Sequence, residues 1–179
     1  NPLTINHHMP LLTLTSDFGN QDYLVGAVKA QLIKINPSFQ VIDISHNIAP
    51  FNYPHTAYVC RSAMRYFPSH SYHLILVNLF EKKPEQLLLV FHNDQYILCA
   101  DNGLLSMILP EKPEMVIGIP LDKEANKHTM YCVEIMGKAI DHLVNGVPVE
   151  KIGQPDAEYM EKNPFKPVLS DDWMEGQII

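Results

Sequence analysis

The chain has 179 residues, 46% of them hydrophobic, enough for one core of ordinary domain size. A formal charge of −7 without a basic run argues against nucleic-acid binding, and no apolar run is long enough to span a bilayer. Three widely spaced cysteines, Cys60, Cys99 and Cys132, fit neither a disulfide framework nor a zinc site; with no evident signal peptide, they suit a reducing cytoplasm.

Residues 1–10 read as a tail, native or added. An apolar run over 11–15 predicts the first strand, and it stops at Ser16-Asp17-Phe18-Gly19. A helix is expected from about Asp22 to Ile35, with Leu24, Val25, Val28, Leu32 and Ile33 on one side. Asp22 falls near its N-terminus, where a carboxylate is favourable, and Asn36-Pro37 ends it. A second strand over 40–44 leads through Ser45-His46-Asn47 to a helix opened by Pro54 and running to about Tyr66.

The third strand is predicted over 73–77, with a polar loop from Asn78. Residues 87–91 and 95–100 read as a hairpin about His92-Asn93-Asp94. Asp101-Asn102-Gly103 is a turn, 104–109 a short helical turn, 115–119 a strand and 134–144 the last helix, stopped by Asn145-Gly146. Regular structure is expected to fade after Gly153, leaving an irregular linker over 154–175, and to revive over 176–179. Strands alternating with helices imply an α/β fold with a mainly parallel sheet covered on both faces, to which the hairpin adds an antiparallel part.

In such sheets ligands sit outside the carboxyl ends of the strands, so the turn after 11–15 is the first place to look. Three blocks there and beyond carry a family resemblance. The first is Thr15-Ser16-Asp17-Phe18-Gly19 with Asp22, Val25-Gly26 and Lys29. The second is Ile42-Asp43-Ile44-Ser45-His46-Asn47-Ile48-Ala49-Pro50, continuing to Tyr66-Phe67-Pro68. The third is Asp101-Asn102-Gly103-Leu104-Leu105-Ser106. In order and spacing the chain resembles, over 11–153, the N-terminal domain of the S-adenosyl-L-methionine (SAM) hydroxide adenosyltransferases. These are SAM hydrolases related to the SAM-dependent fluorinase and chlorinase.

The resemblance implies SAM as substrate or ligand, no metal, and a homotrimer in which each pocket is shared with a neighbour's β-barrel domain. No counterpart of that barrel is expected within these 179 residues, and 176–179 reads as the start of its first strand. The resemblance also implies that Asp17 accepts the two hydroxyls of a ribose; the alternative is a turn or capping aspartate. Phe18 belongs with it as a ligand-binding residue. Asp22 is either a ligand contact or a helix acid. Phe51 is either a pocket aromatic or core, and Asn102 either lies near the active centre or shapes a turn with Gly103. Asp43 and His46 read as a structural hydrogen-bonding pair, since no further His or Cys stands at ligand spacing.

The hydrolases place an Asp, an Arg and a His around the attacking water. The positions corresponding to these are Asn78, Glu85 or Gln86, and Tyr131. Asn can orient water but cannot take its proton. The halogenating relatives carry Tyr then Ser at the last position, which Tyr131-Cys132 echoes, and halide chemistry needs desolvation rather than a base. Glu81 and Glu85 would repel a halide unless Lys82 or Lys83 offsets them. Asn78, Tyr131 and Cys132 are therefore the candidate catalytic positions. Cleavage of SAM to adenosine and methionine, nucleoside binding without cleavage, and halogenation are the functions in play.

Overall fold

A computed structural model describes residues 9–80, 85–162, 168–169 and 174–175. The expected strand at 176–179, the tail 1–8 and the loop residues Glu81, Lys82 and Lys83 lie outside the described residues.

The elements run β1 (Leu11–Ser16), α1 (Leu24–Ile35), β2 (Gln40–Ser45), α2 (Tyr53–Met64), β3 (Tyr72–Leu76), β4 (Gln86–His92), β5 (Gln95–Ala100), α3 (Leu104–Ile108), β6 (Met115–Pro120), α4 (Thr129–Val144) and β7 (Gln154–Pro155). Two further two-residue strands, β8 (Val168–Leu169) and β9 (Met174–Glu175), pair with each other. The seven-stranded sheet has the order β2-β1-β3-β5-β4-β6-β7. Its β2-β1-β3-β5 half is parallel, and the β5-β4-β6-β7 half is antiparallel. The fold is thus α/β as expected, with the antiparallel part reaching past the hairpin to β6 and β7.

Two-residue alternation decides the layers. Leu12 and Leu14 of β1 and Leu74 and Leu76 of β3 face α1 and α4, which supply Val28, Leu32, Cys132, Val133, Met136 and Ile140. Ile75, Ile97 and Cys99 face α2 and α3, which supply Tyr53, Ala57, Cys60, Leu104 and Leu105. Each large side chain so buried contributes about 1.5–3 kcal/mol. On α1 the buried residues are Val28 and Leu32, with Ile35 packed partly behind them. Ile33, expected inside, is turned about 100° from Leu32 and is exposed.

α4 begins at Thr129, five residues earlier than expected, because Cys132, Val133, Met136, Ala139 and Ile140 form one continuous buried stripe. No side chain caps that start, so its usual sequence signal is absent. At α2 the signal is present: Asn52 Oδ1 accepts from His55 N at 3.1 Å, and Pro54 stands in the first turn.

Residues 156–162, part of the expected irregular linker, are irregular but fastened. Asp101 Oδ1 accepts from Met160 N at 2.7 Å, Ser106 Oγ accepts from Lys162 N at 2.8 Å, and the Lys162 ammonium lies 3.7 Å from the centre of the Tyr53 ring. Gly103 makes room for this strap. Its φ is +90°, and a Cβ there would stand 2.5 Å from Lys162 Cγ.

Candidate functional site

The chain leaves β1, crosses to β2 on one side of it, and returns to β3 on the other side. The carboxyl ends of β1 and β3 therefore diverge into a crevice, the topological switch point of an open α/β sheet. Asp17 follows β1 and Asn78 lies just beyond β3. Asn78 N donates to Asp17 Oδ2 at 2.9 Å. A cavity of ≈ 300 Å³ opens beside them, lined by Asp17, Phe18, Phe51, Asn78, Phe80 and Thr129 among others. Larger clefts exist, one of ≈ 740 Å³ along residues 106–116 and 156–162. The smaller one sits at the carboxyl ends of β1 and β3, with the Asp17 carboxylate in its wall.

Asn78 is the hub of this crevice. It is 7% exposed and adopts φ +48°, in the left-handed region that Asn tolerates best after Gly. Its Oδ1 accepts from Phe51 N at 2.9 Å, which fixes the amide's orientation, since a flipped amide would set two donors face to face. Its carbonyl accepts from Asn102 Nδ2 at 3.0 Å. Its own Nδ2 is buried without a hydrogen-bond partner. Phe51, at φ +62°, is held by this bond and is 65% exposed as a residue at the mouth. Phe80 stands on the same rim, 43% exposed.

A second network supports the β1 turn from behind. Ser16 Oγ lies 2.7 Å from His46 Nδ1, and His46 Nε2 lies 3.1 Å from Asp43 Oδ1 without the alignment of a hydrogen bond. Lys29 Nζ donates to Asp43 Oδ2 at 2.5 Å. Burial raises the Asp43 pKa, but Lys29 and then His46 outweigh it and hold the carboxyl below 3.8. Gly19 N donates to the His46 carbonyl at 2.7 Å, joining the two motif loops. Ser16 and His46 are buried and hold the loops from beneath, while Asp43 and Lys29 stand partly exposed.

The sequence profile of the SAM hydroxide adenosyltransferase N-terminal domain matches residues 12–153. The chain belongs to this family. It is 32% identical over 123 residues to an (R)-S-adenosyl-L-methionine hydrolase of Methanocaldococcus jannaschii, covering 66% of this chain and 46% of that protein. It thus spans about half the length of that relative. A hydrolase of the same name from Thermus thermophilus is 25% identical over 176 residues, with 92% of this chain and 68% of that protein covered. A crystal structure of an uncharacterized conserved protein from Thermotoga maritima superimposes with a TM-score of 0.74 at 28% identity, over 89% of this chain and 64% of that one.

Within this adenosyltransferase-family domain the expected site residues separate. Asp17, Phe18, Phe51 and Asn78 share the cavity. Asp22 does not line it; its Oδ1 accepts from Leu24 N at 2.8 Å and so serves the start of α1. Asn102 is buried behind Asn78, donating to the Val77 and Asn78 carbonyls and accepting from Leu104 N. Tyr131 and Cys132 sit in the first turn of α4, away from the cavity wall. Tyr131 OH accepts from Asp122 N at 3.1 Å. Cys132 packs in the core, where burial pushes its thiol up to about 11, with Lys127 opposing weakly. Gln86 ties Asp101 to the Glu158 carbonyl, and Glu85 is exposed. Thr129, which sequence reasoning missed, reaches the cavity because α4 starts there. Among the described residues no three His, Cys, Asp or Glu side chains converge as a metal site, and no helix is long and apolar enough to cross a membrane.

Proposed function

We propose that the crevice between β1 and β3 binds the nucleoside part of SAM or adenosine, with Asp17 accepting the ribose hydroxyls. The observation that carries this reading is the Asn78 N to Asp17 Oδ2 bond beside the ≈ 300 Å³ cavity. It fixes the carboxylate in the wall of the crevice, and among the described residues no hydrogen bond engages its other oxygen. The family membership and the hydrolase relatives support SAM as the ligand.

Cleavage of SAM by water at the ribose C5′ is the activity that the relatives' name implies. Here it is at most slow. Asn78 cannot accept a proton, its acceptor oxygen is occupied by Phe51 N, and Tyr131 is turned to the Asp122 amide. The chain is therefore a SAM or adenosine binder first, and a hydrolase second. Halogenation gains no support, since Tyr131 and Cys132 do not line the cavity. The exposed rings of Phe51 and Phe80 leave the site open on one side, which favours completion by another chain, as in a trimer.

The test is to incubate the full chain with SAM and separate the products, alongside calorimetric titration of SAM and adenosine. Binding with little adenosine and methionine above the blank is expected. Rapid turnover would overturn the binding-first reading, and absence of heat with both ligands would overturn the site.

A further inference from the structure

The sequence contains two arginines, Arg61 and Arg65, one helical turn apart at the end of α2. Both line one cleft of ≈ 420 Å³, within the usual range for small-molecule sites. Its other walls are Met64 and Phe67, the β4–β5 turn at His92 and Asn93, and the segment from Ile108 to Glu111. The cleft lies at the amino ends of β3 and β5, whereas Asp17 and Asn78 follow the carboxyl ends of β1 and β3. Strands of five or six residues put the two sites about 15–20 Å apart.

Placing the only two guanidinium groups of a −7 chain in one cleft needs a reason. Ion pairing does not supply it, because among the described residues neither arginine pairs with a carboxylate. Glu111 shares the cleft without reaching either, and Glu114 is taken by Asn93 N and His92. Capping α2 does not supply it either. Gln95 Nε2 already covers that end, within 3.2, 2.8 and 3.3 Å of the Met64, Phe67 and Pro68 carbonyls. Arg61 spends one N–H on the Met107 carbonyl at 3.3 Å, and this steers its head toward α3. Both arginines are exposed, and Phe67 and Leu109 line the same cleft. A pair of forks is the arrangement that reads phosphate or carboxylate oxygens.

We propose that this cleft is a second ligand site, which takes a small oxyanion-bearing molecule through Arg61 and Arg65. It does not depend on the nucleoside reading of the Asp17 crevice.

Calorimetric titration of the full chain at low salt with inorganic pyrophosphate and, separately, citrate tests it and distinguishes phosphate from carboxylate chemistry. At least one probe is expected to bind with a Kd of about 1 mM or tighter, weakening at least tenfold in Arg65→Gln and not in Asp17→Ala. Arg65→Lys should recover only part, since a point charge replaces a fork. Among the described residues Arg65 makes no bond through its side chain, so Arg65→Gln should keep the wild-type melting temperature. If Arg61→Gln also folds, it should weaken the same probe. Failure of the wild type to bind either probe, or equal binding by Arg65→Gln, would overturn the proposal. A role confined to the helix end predicts the second result.

Discussion

Asn102 Nδ2 donates to the carbonyl of Asn78 at 3.0 Å, while the amide N–H of Asn78 donates to Asp17. A residue that never reaches the cavity thus sets the backbone that aims the carboxylate. The third sequence block is a support for the first. Asp101 fastens the strap at Met160, Asn102 fastens the turn at 77–78, and Gly103 gives Lys162 its path.

Asn102→Ala should therefore destabilise the protein by about 2–4 kcal/mol, because it strands the buried Val77 and Asn78 carbonyls and the Leu104 amide. Asn102→Asp should be worse, since it brings a carboxylate against two carbonyl oxygens. Urea denaturation measures both. A loss below 0.5 kcal/mol for the alanine variant would remove Asn102 from this supporting role.

Stability should fall with acidity through His73. Its Nδ1 lies 2.8 Å from Thr13 Oγ1 and its ring meets Phe67 edge-on, with Nε2 buried and unpartnered. Burial pushes the imidazole down to about 4 from 6.5, against a smaller opposing effect of Gln95. The unfolded chain then binds the proton first. Stability is complete above pH 6.5 and is lost as pH drops toward 4, by roughly 2–3 kcal/mol at pH 4.5. Asp43 acts in a lower window, losing its contribution only as pH falls below about 3.8. Urea midpoints at pH 7.5 and 4.5 should differ in the wild type and converge in His73→Gln. An unchanged slope in the variant would assign the effect elsewhere.

Cys132 should be inert toward thiol reagents in the folded protein at pH 8, as should Cys60 and Cys99. All three are buried, and burial raises each thiol, Cys60 to about 12 and Cys132 to about 11. Cys132→Ser should cost about 1–3 kcal/mol of stability by burying a hydroxyl in the core, yet leave nucleoside affinity within twofold. A large affinity loss without unfolding would return Cys132 to the site.

Much of this was legible in the sequence. The apolar runs of β1, β4 and β5 and the acid at the end of β1 mark the sheet and the crevice directly. The Asp43–His46 pairing was readable because no metal-ligand spacing accompanied it. The start of α4 was not readable, since it has no capping side chain and opens on Thr129, Tyr131 and Cys132, which favour helices weakly. Consequently Thr129 went unnoticed, whereas Tyr131 and Cys132 stood as site candidates on the family resemblance and fall in the first turn of α4. Asn102 was ambiguous for another reason. Its partners are main-chain carbonyls that leave no trace in side-chain patterns. The fastening of 156–162 likewise rests on contacts to Asp101 and Ser106 more than fifty residues away.

Whether Asp17 holds a ribose is decided by a crystal structure of the full chain with adenosine. Both ribose hydroxyls are expected within about 2.5–3.0 Å of the Asp17 carboxylate, with Asn78 N still bonded to Oδ2. Adenosine bound elsewhere, or Phe80 folded into the crevice and Asp17 bonded only to main chain, would contradict it.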